Sequence, residues 1–275
     1  MRFTSILAQF AADAECGARL RLAIDLALSF KCELIGVGAE APELYLSSHG
    51  LSWPKPGYRL QDAEQEISAR LAQLAERFEE TPGIGGVPHR WVSAVDEPAA
   101  FLGASARGCD LIVASRPDPT ALSRNFASPA NLILGAGRPV LLAPRGAVDP
   151  AFDRVVVAWK DTREARRALL DSLPFLMRAK HVSVAAAPEK DDRREAEAAI
   201  SDVVNRLAML GISAEAKILE RGHGDAASAL IGFANQDEGS LVVAGAYGHA
   251  RLQELVLGGF TQSLLVAPLA VLFSH

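Results

Sequence analysis

Ser240-Leu-Val-Val-Ala-Gly245, followed by Ala246-Tyr-Gly-His-Ala-Arg-Leu-Gln-Glu-Leu-Val-Leu-Gly-Gly-Phe-Thr261, decides how the rest of the chain is read. Ser240 to Ala244 is a short, β-branched, apolar run, the pattern of a buried strand. It ends on Gly245, and Gly248 follows three residues later. Gly258 and Gly259 then open a final helical segment. Glycines at such places let the backbone approach a ligand closely. The first amides of a helix carry partial positive charge and lack internal partners. A strand, a glycine loop and a helix start together form a cradle suited to phosphate.

Working outward, the same pattern occurs earlier in the chain. Asp110-Leu-Ile-Val-Ala-Ser115 parallels Ser240 to Gly245 at an offset of 130. Phe3 to Ala8 parallels Asp153 to Ala158 at an offset of 150, and Glu33 to Val37 parallels His181 to Ala185. Each half ends in a short apolar strand, Pro139 to Ala143 and Ala270 to Phe273. The shrinking offset places about 20 extra residues in the first half, assigned to 42–58, which is rich in Ser, Gly and Pro. Helical periodicity fills the intervals at Glu15–Ser29, Gln61–Glu79, Thr162–Leu176 and Arg193–Leu210. Strands alternating with such helices predict parallel sheets covered on both faces. The predicted domains are 1–145 and 151–275, joined by Arg145-Gly-Ala-Val-Asp-Pro150.

Composition narrows the class. Of the 275 residues, 49% are hydrophobic and 22% charged, enough for two packed cores. A net charge of −5 speaks against a general nucleic-acid binder. No apolar run nears the ~20 residues of a membrane span. The start, Met1 to Gln9, reads as a strand and not a signal peptide. Cys16, Cys32 and Cys109 are widely spaced, as reduced cytosolic thiols are. The expected setting is the cytoplasm, with neither membrane nor nucleic acid as partner.

The spacing Gly245-x2-Gly248-x9-Gly258 resembles the nucleotide signature of the universal stress protein family, Gly-x2-Gly-x9-Gly-Ser/Thr. The resemblance covers the second half by motif and the first half by strand and helix order. It identifies the chain as resembling a tandem member. It implies two doubly wound, parallel, five-stranded sheets of order 3-2-1-4-5, the Rossmann-like fold shared with adenine-nucleotide α-hydrolase-like enzymes. It also implies pairing of the two final strands as an intramolecular pseudo-dimer, with a homodimer as a further assembly. The family's Ser/Thr is Gly259 here, and Thr261 is the candidate substitute hydroxyl.

The ligand implied is ATP or another adenine nucleotide such as AMP, with Mg²⁺ as its companion ion. In the implied strand order, the loop Trp159-Lys160-Asp161-Thr162 faces Gly245 to Gly248 across the crevice where the order reverses. Gly245 and Gly248 admit ribose and phosphates. Gly258, Gly259 and Phe260 offer amides. His249 and Arg251 are either phosphate partners or solvated loop residues, and Lys160 stands equally between those two roles. Tyr247 and Trp159 wall the crevice or simply pack. Ala187 is the backbone contact to adenine that the family implies. Where the family has Asp-Gly-Ser, this chain has Lys160-Asp161-Thr162. Asp161 reads first as a helix cap with Glu164 as its partner, and second as a ribose contact.

In the first half the motif positions are Ser115, Asp118, Ser128 and Pro129, none of them glycine, so no nucleotide site is expected there. Gly36-Val-Gly-Ala-Glu-Ala41 matches a dinucleotide fingerprint but lies after a second strand and before Pro42, and is set aside. The six histidines show no metal-ligand spacing. No general base or carboxylate pair is legible. Nucleotide binding in a stress response therefore ranks first, a nucleotide-independent interaction protein second, and weak ATP hydrolysis last.

Overall fold

A computed structural model describes the chain except residues 1, 12, 14, 43–58, 117–126, 145–150, 223, 237–239 and 248–258. The chain forms two compact units, Phe3–Arg138 and Pro139–His275. The first contains β1 (Ser5–Gln9), α1 (Cys16–Phe30), β2 (Glu33–Glu40), α2 (Leu60–Glu79), β3 (His89–Val95), α3 (Pro98–Ser105), β4 (Leu111–Ala114) and α4 (Pro129–Gly135). Its strands are parallel, in the order β3-β2-β1-β4.

The second unit opens with β5 (Val140–Leu142) and β6 (Arg154–Ala158). It continues with α5 (Arg163–Asp171), α6 (Leu173–Leu176), β7 (His181–Ala186), α7 (Arg193–Met209) and β8 (Glu215–Ile218). It closes with α8 (Ala226–Ala234), β9 (Leu241–Gly245), α9 (Gly259–Val266) and β10 (Ala270–Ser274). Its order is β5-β10-β9-β6-β7-β8, so the strands of the second repeat run 3-2-1-4-5 as expected. All pairs in it are parallel except β5 with β10.

The central strands are buried on both faces, which is why they read as continuous apolar runs. Ile6, Leu7, Ala8, Val113, Val242 and Val243 have no measurable exposure. α1 and α7 bury stripes at helical spacing, through Leu20, Ala23, Ala27 and Phe30 and through Ile200, Val203 and Leu207. The helix expected over Thr162–Leu176 is divided. α5 ends at Asp171 and α6 restarts at Leu173, with Pro174 in its first turn, where a missing N–H does no harm.

One further expectation changes. Ile6 pairs with Leu111 and Val155 with Leu241, so Ile6 and Val155 are counterparts, at an offset of 149 and not 150. A one-residue shift matters because it exchanges the faces of a strand. Gln9 therefore corresponds to Ala158, and Phe10 to Trp159. The compact units divide between Arg138 and Pro139, and the expected linker 145–150 lies outside the described residues. β5 carries the end of the first repeat but hydrogen-bonds antiparallel to β10, with Leu141 opposite Leu272.

Gly36 and Gly38 lie inside β2, where a Cβ would come within 2.6 Å of the Phe78 ring and 2.7 Å of the Trp91 ring. These glycines make room for an aromatic cluster of Phe10, Phe78 and Trp91. That packing accounts for the dinucleotide-like spacing. The three cysteines are buried and no disulfide joins them. Burial pushes the Cys16 and Cys109 thiols up, away from the reactive thiolate. No helix among the described residues is long and apolar enough to cross a membrane.

Candidate nucleotide site

β6 and β9 are neighbours, with Ala158 opposite Ala244 as their last pair. Trp159 and Gly245 come next, at the carboxyl end where strand order reverses. A Cβ on Gly245 would lie 2.5 Å from the Ala165 nitrogen and from the Glu164 carbonyl carbon. The end of β9 therefore runs directly onto the first turn of α5, and this contact alone demands glycine.

That turn is capped by Thr162, not by Asp161. Thr162 has extended backbone angles, and its hydroxyl accepts from the Ala165 N–H at 3.2 Å. Asp161 instead pairs with Arg166 at 2.6 Å in an exposed position. The proposed cap partner Glu164 is buried and bonded by Arg163. Burial alone would raise the Glu164 carboxyl, but the Arg163 bond and charge hold it below its ordinary value. Lys160 is exposed, and its carbonyl accepts from the Thr162 N–H at 2.7 Å.

Trp159 and Tyr247 approach the same end of the sheet. The Trp159 backbone N–H bonds the Ala185 carbonyl at 2.8 Å, which fixes the residue as an extension of β6. Its indole Nε1 is enclosed and has no acceptor among the described residues. Tyr247 has a left-handed backbone at φ 60°, unusual for a large side chain. Its hydroxyl is likewise enclosed without a partner among the described residues, and burial pushes its pKa up to about 12. Its ring meets His275 edge-on at 6.3 Å, while His275 Nδ1 lies 3.0 Å from the Ala246 carbonyl oxygen.

The carbonyl of Ala187 is already engaged, accepting from Arg221 Nε at 2.7 Å. α9 begins at Gly259, which is exposed and has open space where a Cβ would stand. Phe260 is half-buried and Thr261 is buried. Gly248, His249, Arg251 and Gly258 lie outside the described residues. Sequence reasoning missed Arg221 and His275. Neither belongs to a spaced motif, and only tertiary packing brings them to this end. Among the described residues no group of three His, Cys, Asp or Glu side chains is placed to hold a metal ion.

In the first unit, Ser115 follows β4, and its N–H is taken by Gln9 Oε1 at 3.0 Å. Ser128 caps α4 by accepting from the Asn131 N–H at 3.4 Å, and Pro129 removes one helix-start donor. Asp118 lies outside the described residues.

No protein-family model and no curated protein matches this sequence. Solved structures do. A universal stress protein from Archaeoglobus fulgidus DSM 4304 matches with a TM-score of 0.72 at 15% identity, over 98% of this chain and 97% of its own. A universal stress protein in complex with cAMP matches over 53% of this chain and 100% of its own, at 15% identity and a TM-score of 0.40. A universal stress protein family protein from Arabidopsis thaliana with AMP bound covers 54% of this chain and 98% of its own, at 17% identity and a TM-score of 0.33. The fold is the doubly wound α/β fold of universal stress proteins, matched along nearly the whole chain by the first of these.

Proposed function

We propose that the chain is a tandem universal stress protein of the cytosol, with repeats 1–145 and 151–275, whose second repeat binds an adenine nucleotide. The observation that carries this reading is a pair of enclosed donors, Trp159 Nε1 and Tyr247 Oη, left without acceptors among the described residues at the carboxyl ends of β6 and β9. Open α/β sheets take their ligands at this reversal point. A nucleotide offers acceptors in its base, sugar and phosphates, so the residues present fit it. Lys160 adds positive charge for phosphate, and the amides at the start of α9 add partial charge. The β5–β10 pairing supports a pseudo-dimer of the two repeats.

One observation favours a nucleotide-independent interaction protein instead. Gly259 brings no hydroxyl to the start of α9, and the buried Thr261 is a poor substitute.

Calorimetric titration of ligand-stripped protein with ATP and Mg²⁺, and separately with AMP, decides between the two. Micromolar binding at one site, abolished by Gly258→Asp in a folded protein, supports the nucleotide reading. No heat together with no protection against thermal unfolding sinks it.

A further inference from the structure

The carboxyl end of the first unit's sheet holds a buried polar cluster outside the nucleotide site. Gln9 ends β1 and is only 2% exposed. Its Oε1 accepts from the Ser115 N–H at 3.0 Å, across the end of β4. A backbone N–H can only donate, so this bond fixes the amide: oxygen toward Ser115, nitrogen away from it. Gln9 Nε2 is enclosed and finds no acceptor among the described residues. An enclosed donor without a partner is costly, and a leucine would avoid that cost.

Two buried arginines belong to the same end of the strands. Arg19, 1% exposed, donates through Nε to the Gln9 carbonyl at 2.8 Å. Its terminal nitrogens hold Asp13 at 3.2 and 2.8 Å. Arg116 follows Ser115 and is 8% exposed. Gln9 occupies the register position of Ala158, so a primary amide here stands where the second unit has a methyl group. The place is again the point where strand order reverses, between β1 and β4.

We propose that this end of β1 and β4 is a second ligand site for a small oxyanion, phosphate or carboxylate, whose oxygen accepts from Gln9 Nε2 beside the Arg19–Asp13 pair, with Arg116 next along the chain from Ser115. It does not depend on nucleotide binding in the other unit. Asp13 orients Arg19 by a two-point grip, so that its remaining N–H edge is presented in one direction. Ser115 Oγ, 3.5 Å from Asp13 Oδ2, lies beside the same cluster.

The test uses the full chain, ¹⁵N-labelled, titrated in parallel with inorganic phosphate and with acetate at constant ionic strength set by chloride. The Gln9 side-chain amide resonances are followed. The expected result is a saturable shift of this pair with one oxyanion, and the arm that responds identifies it. Gln9→Glu keeps an oxygen for the Ser115 N–H but replaces the donor with a repelling oxygen. Thermal protection by the oxyanion should then weaken roughly tenfold or more in apparent affinity. Resonances that ignore both oxyanions, or respond equally to chloride, overturn the proposal. So does an amide that contacts only a buried water, or protection unchanged in Gln9→Glu.

Discussion

At Gly245, a residue read as room for a ligand is required first by the protein itself. The start of α5 lies where a side chain would be. Gly245→Ala should therefore destabilise by about 1–3 kcal/mol through overpacking, measured by denaturant unfolding. Gly259 faces open space, so Gly259→Ser should leave stability within about 0.5 kcal/mol of wild type. If the second repeat binds nucleotide, the added hydroxyl should tighten it in the same titration. Tyr247 makes a separate prediction. Burial raises its pKa from 10.0 to about 12, so the folded protein holds the phenol proton longer. Its contribution to stability is intact below pH 10 and is lost as the pH rises toward about 12, because the unfolded chain ionises first. Tyrosinate absorbance should show one late-ionising group, absent in Tyr247→Phe. The motif spacing was legible in the sequence. The competing demand on Gly245 was not, because Ala165 lies 80 positions away and meets it only after β6 and β9 pair.

At the scale of elements, α2 and β3 are tied by His89, whose Nδ1 lies 2.8 Å from the Val87 carbonyl oxygen and whose Nε2 lies 3.0 Å from Glu79. The Val87 carbonyl and the Glu79 carboxylate raise the His89 pKa above its ordinary 6.5. The charged ring's contribution is complete below that value and disappears as the pH rises through the raised one. His89→Asn should flatten that part of the stability profile, read from urea midpoints between pH 5 and 8. The positions of α1, α2 and α7 were legible to within a residue or so, because their apolar residues recur at helical spacing. The break between α5 and α6 was not read, although Pro174 lacks the N–H that a continuous helix would need there and fits only the first turn of a new segment. The cap moved from Asp161 to Thr162. Both residue types cap helices, and in the folded chain Thr162 takes the cap while Asp161 pairs with Arg166.

On the scale of the whole molecule, β5 is where repeat and compact unit part company. Leu141 belongs by sequence to the first repeat yet lies fully buried opposite Leu272. Leu141→Ala should cost about 2–5 kcal/mol. Hydrogen exchange should accelerate at Val271 to Phe273, in a unit otherwise built from the second repeat. Faster exchange confined to the first repeat would contradict this pairing. Antiparallel addition of β5 also removes a free edge beside β10, a device against unwanted strand pairing.

The sequence alone determined the alternation of strands and helices, the doubling of the pattern and the glycine spacing, because all three are periodic and local. Side chains two, three or four residues apart report burial without knowledge of the partner. Tertiary structure decided the one-residue offset between β1 and β6, the shift of β5 to the second unit and the packing behind Gly36 and Gly38. It also placed Gln9, Arg19 and Arg116 together at one end of a sheet. Those features depend on which residues meet from ten to more than a hundred positions apart in the chain, and pairing register and close packing set that, not local pattern.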